Sequence, residues 1–211
     1  MISIKKLFST VCLISFLILP LAQAQFTLSE TSDVVKKGDY YIGLTPQLKL
    51  SDGSGGNFNL NLDMPLREDI SWRGFVGGGD VDFFGGAAAK WSPFPDYGKQ
   101  PGVAFRAGLT FGRELTESFT VYRVDPIVSK KYETEYGFVT PYGSLPVSWT
   151  NINSQSRTQL GLVAGAEYQS EDSQNLKFNL EVGLNLKDSF SYLAGSVIYQ
   201  LDQKKGLKLL K

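Results

Sequence analysis

Residues 176–187 alternate without a break. Leu176, Phe178, Leu180, Val182, Leu184 and Leu186 are apolar, while Lys177, Asn179, Glu181, Gly183, Asn185 and Lys187 are polar, charged or glycine. A period of two puts successive side chains on opposite faces of a strand, so this segment has one apolar face and one polar face. An amphipathic helix would need a period near 3.6, and none appears in the segments that follow the N-terminal leader.

The same alternation marks nine further segments. Residues 40–50 carry Tyr40, Ile42, Leu44, Pro46, Leu48 and Leu50 on one face, and a turn signal at Asp52-Gly53-Ser54-Gly55-Gly56 follows. Phe58, Leu60, Leu62, Met64 and Leu66 then face away from Asn57, Asn59, Asn61 and Asp63. A strand at about 70–78 sets Ile70, Trp72 and Val76 against Ser71 and Arg73, with Phe75 out of pattern. A strand at about 81–91 sets Val81, Phe83, Ala87, Ala89 and Trp91 against Asp82 and Lys90, with Phe84 out of pattern. Pro93 and Pro95 place 92–98 in a loop. Val103, Phe105, Ala107, Leu109 and Phe111 form a fifth clean stripe. Strands at about 119–129 and 137–149 turn Tyr122, Val124, Val128, Val139, Leu145, Val147 and Trp149 outward, and Arg123, Asp125, Tyr142 and Ser144 inward. An eighth strand spans about 157–169. After 176–187, a tenth at about 190–200 carries Leu193, Val197 and Tyr199 on one face and Phe190, Tyr192 and Ile198 on the other.

The chain opens with a leader. Lys5 and Lys6 precede an apolar run, Leu7 to Leu21, and Ala22-Gln23-Ala24 offers a small-x-small cleavage site, so residues 1–24 read as a cleaved signal peptide. Residues 25–38 read as a linker, 39–201 as the barrel and 202–211 as a short basic tail. The lone cysteine, Cys12, lies in the leader, so no disulfide is available to the exported chain. Without the leader there are nineteen basic and twenty-one acidic side chains, which gives no basic excess for nucleic acid.

About ten strands of the length that crosses a tilted bilayer point to an all-β fold, an antiparallel up-and-down transmembrane β-barrel, with eight strands as the alternative. The polar faces are rich in small and amide residues such as Asn57, Asn59, Asn61, Gly108, Thr110, Gly161 and Gly165. Aromatics fall at strand ends in two sets: Tyr40, Trp72, Trp91, Tyr168 and Tyr199 on one rim, Phe111 and Trp149 on the other. That is the placement of interfacial girdles. The inward face collects Arg73, Arg106 and Arg123 with Asp63, Asp82, Asp125, Glu167 and Glu181, as a salt-bridge lattice or an ion-selective constriction.

By this pattern, from about Asp39 to Leu201, the chain resembles the small outer-membrane β-barrels of Gram-negative bacteria, the OmpA- and OmpW-like ones above all. The resemblance implies a monomer in outer-membrane lipid, placed there by barrel-insertion machinery. Tyr199 would stand for the terminal aromatic of such barrels, and an N-terminus in the periplasm would put the long 92–100 connection on the inner side.

The chain has no histidine. Outer-membrane phospholipases, omptin-type proteases and the lipid A palmitoyltransferase and deacylase each work through one, so those mechanisms are closed. No catalytic residue, metal site or cofactor is expected. The expected function is a non-enzymatic barrel, structural or passing small solutes. The alternatives are a soluble exported barrel binding an apolar ligand and, last, a carboxylate-based hydrolase. Gly77-Gly78-Gly79 lacks the lysine of a phosphate loop and reads as a turn.

Overall fold

Each alternating segment finds a partner on both sides, because a strand with one apolar face and unpaired backbone groups is stable in lipid only when the sheet closes on itself. The computed structural model describes residues 27–50, 55–152, 155–173 and 175–202. The segment expected to be a signal peptide and most of the basic tail lie outside these residues.

The strands are β1 (Asp39–Lys49), β2 (Gly55–Pro65), β3 (Ile70–Gly79), β4 (Phe83–Phe94), β5 (Gly102–Glu114), β6 (Glu117–Ser129), β7 (Tyr132–Thr134), β8 (Gly137–Ser144), β9 (Val147–Ile152), β10 (Gln155–Ser170), β11 (Leu176–Lys187) and β12 (Tyr192–Asp202). All pairings are antiparallel, and β12 returns to β1 with Asp39 opposite Asp202, closing the barrel. β8 and β9 are one staved strand. Both lie between β6 and β10, and the break falls at Pro146, which has no N–H to give the ladder, although its carbonyl still accepts from Gly161 N at 3.1 Å. Counted so, the wall has ten strands, as the sequence predicts, and β7 is a lip beyond it.

The outer face is the apolar one. Leu44, Phe58, Leu60, Val76, Phe105, Phe178 and Leu180 are all exposed there. Leu180, in the middle of β11, is 61% exposed. Between the level of Trp91 and that of Phe111, the outer positions of the described strands carry no Lys, Arg, Asp or Glu. Leu180→Arg is therefore expected to cost about 2–4 kcal/mol in a bilayer, the price of a guanidinium near the midplane. Urea unfolding in lipid vesicles measures this, and a loss below 1 kcal/mol (about fivefold) would place Leu180 away from lipid.

Inside, bulk is matched to absence of bulk. Phe84, Phe119, Tyr142 and Tyr192 each stand directly opposite a glycine on the neighbouring strand, Gly77, Gly112, Gly165 and Gly183 respectively. Each ring lies where that glycine's Cβ would be. The two residues out of pattern in the sequence, Phe75 and Phe84, thus point inward. With Val81, Phe119, Val121 and Ile152 they form an apolar cluster across the end of the barrel that carries the short β3–β4 and β5–β6 turns. Val81 belongs to the turn and not to β4, which begins at Phe83. The other end carries Asp39, Asp202 and the longer connections at 95–101 and 130–136.

Candidate functional site

The inward positions of the strands are polar, so the lumen must satisfy its own charges. Among the described residues, the buried cations are Arg73, Lys90, Arg106, Arg123 and Lys177, and the buried anions are Glu30, Asp63, Asp125, Glu167 and Glu181. Nine of these ten stand on strands, five positive against four negative. The fifth anion, Glu30, comes from outside the wall.

Glu30 comes from the stretch expected to be a linker. That expectation is corrected here. Thr27 to Ser32 are all buried, and the chain from Val35 back to Thr27 runs down inside the barrel. It enters through a turn at Lys36-Lys37-Gly38-Asp39, in which Asp39 N donates to Lys36 O at 3.0 Å. Gly38 sits at the third position with φ +93°, as a turn of this type requires. The reason for the miss is physical. A segment held by side chains instead of a sheet ladder needs no hydrophobic period, so Ser, Thr and Asp without pattern look like solvent-facing chain.

The lumen holds this segment by both its backbone and its side chains. The Glu181 carboxylate accepts from Leu28 N at 2.8 Å and Ser29 N at 2.6 Å, and from the hydroxyls of Tyr142 and Tyr192 at 2.6 and 2.7 Å. Ser29 adopts a positive φ of 43°, which aims the two successive N–H groups at one anion. The Leu28 carbonyl accepts from Arg73 at 2.9 Å and Arg106 at 3.2 Å. Lys90 Nζ sits 2.8 Å from Glu30 Oε1 and also donates to the carbonyls of Thr31 and Asp33. Arg106 and Arg73 approach the other Glu30 oxygen at 3.5 and 3.7 Å. Leu28, fully buried, packs with Ala104, Ile127, Tyr142, Val163, Phe190, Tyr192 and Ala194.

The remaining charges pair around this segment. Arg73 forks onto Asp63 and donates from its second terminal nitrogen at 2.8 Å. Asp125 is shared by Arg106, at 2.8 Å, and Arg123. Glu167 pairs with Lys177 at 2.8 Å. Of the eight charges expected in the lumen, seven are there. Asp82 is the correction: it lies exposed in the β3–β4 turn, because β4 starts at Phe83, two residues later than expected, and its first inward position is Phe84. Sequence reasoning passed over Glu30: with Asp82 counted inside, the inward strand charges need no further acid, and the surplus of one cation shows only once Asp82 is placed in the turn.

Above the segment a vestibule of about 820 Å³ opens among the longer loops. There Lys130 binds Asp96 and the carbonyls of Gly98 and Gln100, and Lys131 N donates to Asp96 at 2.7 Å. Slight desolvation pushes the Asp96 carboxyl up, but these bonds outweigh it and hold the group below its ordinary range. The aromatic residues predicted at the rims all take outer positions. Tyr40, Trp72, Trp91, Tyr168 and Tyr199 stand near the end carrying Asp39 and Asp202, and Phe111 and Trp149 near the other.

The sequence matches no protein-family model, and it matches none of the curated proteins. Among solved structures, the fold is similar to a de novo designed transmembrane β-barrel, with 16% identity and a TM-score of 0.39 over 80% of this chain and all of the other. It is also similar to Ail, the attachment invasion locus protein of Yersinia pestis. In complex with the heparin analogue sucrose octasulfate, Ail gives 12% identity and a TM-score of 0.32 over 79% of this chain and all of Ail. A second structure of Ail gives 12% and 0.29 over the same shares.

Proposed function

We propose that the chain is a non-enzymatic outer-membrane β-barrel whose lumen is shut by its own N-terminal segment, a structural barrel and not a route for solutes. The observation that carries this is Glu30, buried between Lys90, Arg106 and Arg73 in the middle of the space that a pore would need. The apolar cluster of Phe84, Phe119 and Ile152 at the far end supports it, since an aqueous path would have to wet that cluster. The apolar outer band between two sets of aromatics supports a membrane setting over a soluble barrel with an apolar ligand inside. Export through the leader and insertion as a monomer by the barrel-insertion machinery complete the reading. A carboxylate-based hydrolase is disfavoured by the pairing of the lumen acids: Glu181 holds four donors and Asp125 two guanidinium groups.

The test has two arms. Expressed in a Gram-negative host, the protein should fractionate with the outer membrane and shift in gel mobility on heating; release by osmotic shock overturns the membrane reading. In planar bilayers the intact chain should stay silent across a range of voltages. Reproducible stepwise conductance overturns the closed reading and favours solute passage.

A further inference from the structure

We infer that the lumen is a peptide-binding site: it holds residues 27–35 as a receptor holds an acidic peptide kinked at Ser29, and the covalent link through 36–38 is not what keeps them there. The inference rests on the closed-barrel reading and adds to it the chemical class of the occupant.

Three observations converge. First, the backbone of 28–33 is held mainly by lumen side chains and not by a strand ladder. Leu28 N and Ser29 N go to Glu181, Ser32 N goes to Ser129 Oγ at 3.0 Å, and the carbonyls of Leu28, Thr31, Ser32 and Asp33 accept from Arg73, Lys90 and Ser92. Backbone held by fixed side chains is how a site takes a peptide in one register. Second, side chains are read one by one. Leu28 fills an apolar pocket, Ser29 accepts from Ser196 at 2.9 Å, Glu30 meets three cations, and Ser32 meets Ser129 at 2.6 Å. Third, the wall alone has one buried positive charge too many, and one acid in the occupant cancels it. The ligand so defined is a peptide with one apolar residue and one acid two positions later, kinked between them and flanked by small hydroxyl residues. An excess of buried charge without its counter-ion is costly, so the empty site favours such a peptide from any source.

The connector offers the test. Lys36 and Lys37 are exposed, and trypsin cuts after such residues. The folded full-length protein is cut in detergent, gel-filtered and weighed by mass spectrometry. The fragment ending at Lys36 is expected to stay with the barrel and to exchange for an isotopically labelled peptide spanning Gln25–Val35. A peptide carrying Glu30→Gln should bind at least about tenfold more weakly, as expected for loss of a charge-assisted contact. Immediate loss of the fragment from a barrel that keeps its heat-modifiable mobility overturns the inference. If the connector resists cleavage, a chain lacking 25–35 is refolded with and without the peptide. Saturable uptake, or folding only with peptide present, supports the site. A folded barrel that takes up none, or a chain that fails to fold even with peptide, overturns it. Bilayer conductance separates the two ideas: a silent intact barrel that loses its fragment on cutting sinks only the binding site, whereas a conducting intact barrel sinks the reading beneath it.

Discussion

Asp125→Asn is expected to destabilise the folded barrel by about 3–5 kcal/mol, the cost of breaking a buried ion pair from one side. Asp125 is 1% exposed. One of its oxygens takes Arg106 Nε at 2.8 Å and the other takes Arg123. Arg106 is its direct cross-strand neighbour, so the carboxylate is the screen between two guanidinium groups on adjoining strands. Asparagine keeps the shape and one acceptor but removes the charge, leaving two cations facing each other. Denaturant unfolding in lipid vesicles, followed by heat-modifiable mobility, reads the loss. The double variant Asp125→Asn with Arg123→Met should recover more than half of it, because it removes the surplus cation together with the anion. An unchanged midpoint for Asp125→Asn alone would mean that water in the lumen already screens the pair.

How far the sequence reveals this molecule depends on whether a feature is written in a period. The ten-stranded wall is legible because alternation reports which way every side chain points, and strands as clean as 103–111 or 176–187 leave no choice. Proline obscured less than it threatened to. Pro146 interrupts the hydrogen-bond ladder without shifting register, so 137–152 still acts as one stave. Phe75 and Phe84 looked like faults in the pattern because their reason lies across the sheet, in Gly77 opposite Phe84 and in the apolar cluster at the closed end. Asp82 was misplaced by the same fault, since a strand starting two residues later moves it into the turn. The lumen segment was least visible. Its attachments are between residues far apart in the chain, such as Leu28 with Glu181 or Glu30 with Lys90, and no local pattern encodes them. The surplus of one cation that Glu30 cancels exists only among the strand charges the fold buries, so it is not legible before the fold is known.

Glu30→Lys is expected to turn a silent barrel into a conducting one. The wild-type carboxylate sits 2.8 Å from Lys90 Nζ, with Arg106 and Arg73 at 3.5 and 3.7 Å. Reversing its sign sets four cations against one another in a confined space and doubles the change in charge that neutral glutamine would make. The strand ladder stays paired when the segment goes, because the segment's bonds are not part of it; the repulsion among four buried cations works against hydroxyl contacts worth about 0.5–1.5 kcal/mol each and charge-assisted backbone contacts worth about 1.5–3 kcal/mol each. With the segment displaced, Arg73, Lys90 and Arg106 line the opening, so the current should favour anions, as charged rings set pore preference. Reversal potentials across a salt gradient measure that preference, and Glu30→Gln should show rarer, shorter openings than Glu30→Lys. Pairing Glu30→Lys with Lys90→Glu should restore partial silence, since the swap returns an opposite charge to the site but removes the ammonium that also holds the carbonyls of Thr31 and Asp33. A Glu30→Lys barrel that is folded and silent at every voltage would mean that the apolar cluster at the far end, and not the segment, is what closes the lumen.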